Sequence, residues 1–347
     1  MNLICAKASV RGYPISHPKM SKSSHLIVQP DDGVAPVIAL IRRAQRTLFI
    51  KQFTFTQPEI QQAVIERSKA GVDVRVMLNP KRSSGSRAND ETFELFQKAG
   101  VPVKWASSHF VVTHEKSIVV DGSIALIATF NLCEKYFTQT RDYGVIIHDP
   151  AQVAQVAEGF HADWEERVWH PGSHTGLLWS NHNSRQMMSD FIDGAEETLD
   201  IQHPKFVDAT ITERIAAAVQ RGVKVRVLCG GKHGISDWDI LDTFSSLRIL
   251  HYVGAKVHKQ KNLRLHAKLL LADGRHALVG SMNIDRSAFD LRRELGTTIT
   301  DPGIIENLSE VFEADWELSH KYDPPEPLRA FHHVEDDFPH DPDLHHE

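Results

Sequence analysis

The chain repeats itself. AGVDVRVMLNPKR (70–82) returns as RGVKVRVLCGGKH (221–233), THEKSIVVDG (113–122) as LHAKLLLADG (265–274), and FHADWEE (160–166) as FEADWEL (312–318). A fourth pair, AQRTLFIKQF and AEETLDIQHP, begins at Ala44 and Ala195, and the offset is 151 or 152 residues throughout. Four matched segments in one order at one spacing mean two copies of a single supersecondary unit. The expected divisions are residues 1–170, residues 171–320 and a remainder, 321–347. The repeats join near HPGSHTG (170–176), where Pro and Gly interrupt regular structure.

Within each unit, helices alternate with strands. VRVML and VRVLC read as buried strands. PEIQQAVIERSKAG, ahead of the first, suits a helix with Pro58 in its opening turn and Gly71 at its stop, and ATITERIAAAVQRG fills the same place in the second unit. The expected fold class is α/β: two tandem repeats with mainly parallel sheets, packed about a pseudo-twofold axis.

At 347 residues the chain has ample surface to bury, and its 41% hydrophobic and 24% charged content is that of a globular protein. No apolar run approaches the roughly 20 residues a membrane helix needs. The opening MNLICAKASVRG has too short an apolar stretch for a signal peptide. Cys5, Cys133 and Cys229 have no motif spacing, so neither disulfides nor a thiolate metal site is indicated, and a reduced, cytoplasmic location is expected. The formal net charge of −6 resides in the segment from Lys321 onward, whose eight carboxylates face one Lys and one Arg. Its Pro-rich acidic composition is that of a disordered tail; its histidines, His332, His333, His340, His345 and His346, are not expected to hold a functional metal. The neutral remainder argues against a wholesale nucleic-acid binder.

Each copy carries His-x-Lys-x-x-x-x-Asp: His114, Lys116 and Asp121, then His266, Lys268 and Asp273. Asn131 and Asn283 follow ten residues after each Asp, and Asp142 and Glu294 eleven residues later still. On a strand, residues two apart project to one face, so each His and Lys point the same way. A single His-x-Lys is most simply a surface accident; polar identities kept at matched places in both repeats are not. Metal ligation fits poorly, because Lys is not a usual ligand. Lys suits a phosphate oxygen.

The two segments resemble the HKD motifs of the phospholipase D superfamily, and the duplication resembles its two-motif, single-chain members, over nearly all of residues 25–320. The similarity is to the bacterial phosphatidylserine/cardiolipin synthase-like group. The second copy keeps the family's Gly-Ser-x-Asn as Gly280, Ser281 and Asn283; the first has Ala128, Thr129 and Asn131. Thr129 can replace the Ser hydroxyl. The resemblance implies a phospholipase D-type phosphodiesterase or phosphatidyltransferase working through a phosphohistidine, with His114 as nucleophile and His266 as general acid, an order that two near-symmetric copies do not themselves decide. Asp142 and Glu294 match the family's acidic partners of the histidines; the competing reading pairs them with Arg141 and Arg293.

The chemistry is consistent with the residues. Histidine can serve as neutral nucleophile or charged acid near pH 7. Lys116 and Lys268 would clamp the non-bridging oxygens, assisted by Asn131, Asn283, Ser281 and Thr129, with no metal or other cofactor required. Asp121 and Asp273, counted with the motif, are expected to support its architecture rather than touch substrate.

The loops NPKRSSGSRAND and GGKHGISDWD should open on the ligand side of the sheets, bringing Lys81, Arg82 and Lys232 toward an anionic headgroup, with Lys259 and Arg264 ahead of the second motif. The matching stretch before the first motif, KWASSHFVVTH, is aromatic and oily. An entrance basic on one side and greasy on the other suits a phospholipid, reached by peripheral association at the inner membrane, better than a nucleic-acid backbone. A nuclease of the same superfamily and a non-catalytic phosphate-binding module are the alternatives. No stable protein partner is implied.

Overall fold

The computed structural model describes residues 25–326 except residues 83, 173, 232–234 and 236, so most of the acidic tail and Lys232 lie outside the described residues. The first repeat runs β1 (Leu26–Gln29), α1 (Ala35–Arg42), β2 (Thr47–Gln52), α2 (Pro58–Lys69), β3 (Asp73–Leu78), α3 (Asp90–Lys98), β4 (Val103–Trp105), β5 (Ser117–Val120), β6 (Ile124–Ala128), α4 (Glu134–Thr138), β7 (Thr140–Ile147) and α5 (Pro150–Trp164). The second runs β8 (Leu177–Trp179), α6 (Ser184–Asp193), β9 (Thr198–Gln202), α7 (Ala209–Gln220), β10 (Lys224–Cys229), α8 (Ile240–Val253), β11 (Lys256–Lys259), β12 (Arg264–Leu265), β13 (Leu269–Ala272), β14 (His276–Gly280), α9 (Arg286–Asp290), β15 (Leu295–Ile299), α10 (Pro302–Glu317) and β16 (His320–Lys321).

The sheet orders are β1-β7-β6-β5-β2-β3-β4 and β16-β11-β10-β9-β13-β14-β15-β8, so the same plan is drawn twice, and β12 of the second repeat pairs with β7 of the first. The α/β class holds, but the sheets are mixed rather than mainly parallel. Only β2-β3-β4 and β9-β10-β11 pair in parallel through helical crossovers. The links β5-β6-β7 and β13-β14-β15 are antiparallel. For β5-β6 and β13-β14 the cause is the Asp-Gly pair after each motif strand. Asp121 and Gly122 take φ of 53° and 64°, and Asp273 and Gly274 take 55° and 62°, the backbone of a tight hairpin, which can join only antiparallel strands.

Each sheet is covered on both faces. Leu48 and Ile50 of β2 face the core under α1 and α2, while Phe49 between them faces a core shared by both repeats that also includes Phe160 of α5 and Phe312 of α10. A third core lies under α6, α7 and α8. Period-two alternation puts Lys51 on the same inner face as Phe49, fully buried. Its ammonium lies 2.9 Å from Glu115 and 2.6 Å from Asp163, and Arg293 of the second repeat reaches the same Asp163 at 2.8 Å. Burial alone would push the Asp163 carboxyl up; the charges of Lys51 and Arg293 outweigh it and hold it below the usual range.

Removing one member of such a group strands the rest without solvent. Lys51→Met is expected to lower the free energy of unfolding by about 3–5 kcal/mol, measured by chemical denaturation; a change below about 1 kcal/mol would mean water already reaches the cluster.

Candidate active site

His114 and Lys116 precede β5, and His266 and Lys268 precede β13, so the motif residues occupy the lead-in to each strand rather than the strand itself. The lead-in bends because its backbone bonds the other repeat. The N–H groups of His114 and Glu115 donate to the Arg293 carbonyl at 2.9 and 2.8 Å; those of His266 and Ala267 donate to the Arg141 carbonyl at 3.3 and 2.8 Å. Both histidines are buried.

The rings are held crosswise. His114 Nδ1 lies 2.9 and 3.0 Å from the Glu294 carboxylate oxygens and 3.1 Å from the Ser281 carbonyl; since all are acceptors, that nitrogen carries the proton. His266 Nδ1 lies 2.7 Å from Asp142 Oδ1. Each histidine is thus oriented by a carboxylate from the opposite repeat. The arginines beside those carboxylates do not pair with them. Arg141 forks onto Asp315 at 2.8 and 3.2 Å, and Arg293 onto Asp163 at 2.8 and 3.0 Å, which removes the surface-ion-pair reading of Asp142 and Glu294.

Lys116 Nζ donates to the His114 carbonyl at 2.7 Å, and Lys268 Nζ donates both to the His266 carbonyl and to His266 Nε2 at 2.8 Å. An ammonium has only donors, so His266 Nε2 presents its lone pair in this state. Asn131 and Asn283 are buried in the same region, as expected of residues two beyond the hydroxyls. The hydroxyls themselves differ. Thr129 donates to Asp142 Oδ1 at 2.5 Å and Thr140 to Asp142 Oδ2 at 2.6 Å, whereas the Ser281 hydroxyl donates to the Leu295 carbonyl at 3.2 Å. At Gly280 a Cβ would fall 2.6 Å from the Gly296 Cα, so the second copy needs its glycine; the first sets Ala128 against Gly144 instead.

Asp121 and Asp273 stand apart from this cluster, in the turns at the far ends of β5 and β13. Asp121 accepts the backbone N–H groups of Gln45, Arg46 and Thr47, and Asp273 those of Glu196, Glu197 and Thr198, tying each hairpin to the strand entering beside it. Of the expected anion-binding residues, Arg82 is buried with its guanidinium 5.7 Å over the Phe53 ring, and that ring lies 5.0 Å beneath Lys116 Nζ. Lys81 is exposed, Lys259 stands 5.9 Å over the Tyr322 ring, and Arg264 pairs through β12 with Thr140. A cleft of about 490 Å³, lined by His25, His148, Asp149 and Asp301, lies at the far ends of β7 and β15 and includes none of the motif residues.

Three neighbours of the site escaped the sequence reading. Phe53 meets His114 edge-on at 4.8 Å, and Tyr136 meets His266 at 4.9 Å. His203 is fully buried, 3.2 Å from the Met282 carbonyl, and its Nδ1 accepts the Lys205 N–H at 3.1 Å, so Nε2 carries the proton and braces the Ser281–Asn283 turn. Burial pushes its imidazole down to about 3, with the charge of Lys268 adding to the effect. Repeats conceal such residues: Gln52, Pro204 and Ala288 stand at the matching places of His203, Phe53 and Tyr136.

A duplicated α/β unit with a His-Lys pair from each copy, each His braced by the other copy's carboxylate, defines a phospholipase D-like enzyme of the two-motif class. The comparisons specify it further: the chain belongs to the family described as "Cardiolipin synthase, PLD-like domain", which matches residues 37–164 and again 188–316. It is 27% identical over 341 residues to a cardiolipin synthase of Listeria welshimeri, covering 86% of this chain and 70% of that one. It is 24% identical over 324 residues to cardiolipin synthase 2 of Staphylococcus epidermidis, covering 81% and 65%. Among solved structures it shares its fold with the phosphatidylserine synthase of Haemophilus influenzae (TM-score 0.66, 15% identity, 86% of this chain and 87% of that one). The polyphosphate kinase of Porphyromonas gingivalis gives a TM-score of 0.69 at 14% identity over 86% of this chain and 48% of that one.

The neutral His203 has a measurable consequence. Between about 6.5 and about 3 the unfolded chain takes up a proton that the folded chain refuses, so stability falls as pH falls, by about 1.4 kcal/mol per unit. From pH 7.5 to pH 5 this contribution amounts to about 2 kcal/mol. His203→Gln, which borrows the residue of the first repeat, is expected to flatten that part of the denaturation-versus-pH curve; an unchanged slope would contradict the assignment.

Proposed function

We propose that the chain transfers phosphatidyl groups between phospholipid headgroups, or hydrolyses them, through a phosphohistidine. The observation that carries this reading is the crosswise bracing. With Nδ1–H held by a carboxylate, Nε2 is the ring atom that would bond phosphorus or a proton, and the carboxylate stabilises the positive charge that then forms. In the proposed course, His114 Nε2 attacks phosphorus, the bond from phosphorus to the headgroup oxygen breaks, and that oxygen takes a proton from His266 Nε2. An incoming alcohol or water then returns a proton to His266, attacks phosphorus and releases His114. Lys116 and Lys268 hold the non-bridging oxygens, with Asn131 and Asn283 beside them. Lys268 Nζ lies 2.8 Å from His266 Nε2; a phosphate bound between them would draw the ammonium to its oxygens and let that nitrogen take up the proton that the acid step spends. Arg82, stacked on Phe53, supplies further positive charge on the His114 side.

We also place the protein peripherally on its substrate membrane. None of the described helices is long and apolar enough to cross a bilayer. Val111 and Leu291, 66% and 50% exposed, are joined by a backbone bond of 3.1 Å in the strap that leads into His114. An exposed apolar pair beside a buried reaction centre suits contact with acyl chains.

Two outcomes are expected. With vesicles of phosphatidylglycerol, phosphatidylethanolamine and phosphatidylcholine in EDTA, mass spectrometry should find phosphatidic acid or cardiolipin. His114→Ala should abolish the product, and His266→Ala should lower its rate by about 10²–10⁴-fold. Intact lipids beside cleaved single-stranded DNA would overturn the lipid reading. Separately, Val111→Asp with Leu291→Asp should cut turnover on vesicles at least ~10-fold while sparing a dispersed short-chain phospholipid; equal losses on both would remove the membrane role.

A further inference from the structure

The arginines next to the two bracing carboxylates form a second set of crosswise bonds. Arg141, in the first repeat, sends its guanidinium to Asp315 on α10 of the second, and Arg293, in the second, sends its own to Asp163 on α5 of the first. The four side chains are buried, and each pair is a two-pronged fork, the geometry in which a guanidinium has least rotational freedom. The same arginine's carbonyl accepts the backbone N–H of a motif histidine, and the residue after it supplies the carboxylate for that histidine's ring. Two linear relays result, Asp163–Arg293–Glu294–His114 and Asp315–Arg141–Asp142–His266. In each, an aspartate and a histidine of one repeat grip a dipeptide of the other between them.

The backbone explains why the grip is effective. Arg141 and Asp142 are consecutive on β7, so their side chains leave opposite faces, one toward α10 and the other toward His266; Arg293 and Glu294, just ahead of β15, are likewise divided between α5 and His114. The rigid peptide between them converts any slip of the guanidinium into a displacement of the carboxylate. We infer that Asp163 and Asp315, repeated in FHADWEE and FEADWEL, are positioning residues, and that each governs one histidine and not the other. The first relay is tied further by Lys51 and Glu115. The second is tied by Asp31 against Arg141 and by Gln202 and Asn262 against Asp315.

The test reads the rings directly and needs no substrate. In the full chain labelled with ¹⁵N-histidine, the ring signals of His114 and His266 are assigned by their loss in His114→Gln and His266→Gln. Asp163→Asn is expected to move the Nδ1–H signal of His114 and leave that of His266, and Asp315→Asn to do the converse. Arg293→Lys and Arg141→Lys, which keep the charge but lose the fork, should reproduce the two selective effects should either Asn variant not fold. Signals that move together in every variant, or not at all, would overturn the inference. Asp163→Glu, which keeps the carboxylate, should recover part of the wild-type spectrum. The kinetic arm rests on the function proposed above: Asp163→Asn should slow phosphoenzyme formation and Asp315→Asn headgroup protonation, each by about 10- to 100-fold. Absence of lipid turnover in the wild type would end that proposal while leaving the spectroscopic result standing.

Discussion

Each motif histidine takes its ring partner from the opposite half of the chain, and every other feature of the site depends on that exchange. A carboxylate bonded to imidazole in a water-free interior acts more strongly than at a surface, and it costs more to bury. The shared core between the sheets supplies the dry setting. The arginine forks hold the carboxylate-bearing segments at the correct height, and the backbone bonds to Arg141 and Arg293 fix the lead-ins so that the rings meet their partners. Neither sheet alone contains a complete histidine environment.

The duplication, the α/β class and the central residues were legible because repetition filters chance: a polar residue kept at two matched places has a shared reason to be there. The same filter hid what differs between the copies. Phe53, Tyr136 and His203 border the site without counterparts of their own kind. The arginine partners were hidden for another reason. Asp163 and Arg293 lie 130 residues apart, and Arg141 and Asp315 lie 174 apart, separations at which no local periodicity operates. Parallel pairing is less extensive than the helical crossovers alone imply, because the Asp-Gly turns make a hairpin in each half.

The halves keep the histidines but differ at positions around them. Lys51 faces Gln202, Thr140 faces Arg292, and Ala128 faces Gly280 at matched positions. The Asp142 carboxylate consequently receives two hydroxyls as well as a ring, whereas Glu294 receives the ring and no hydroxyl. A nearly symmetric frame therefore holds two chemically unlike imidazoles, the condition under which one can act as nucleophile while the other handles protons.

The exchange of gripping elements also bears on ancestry. A lone copy of the unit could rebuild the same contacts only by pairing with a second copy about a true twofold axis, each lending its arginine and acid to the other. In such a homodimer every mutation is imposed on both halves at once. Joining the copies through the HPGSHTG connection fixes their ratio and proximity, and it lets selection alter one side alone. The unequal hydroxyls, the single His203 and the single Phe53 are differences that a homodimer of identical halves cannot hold.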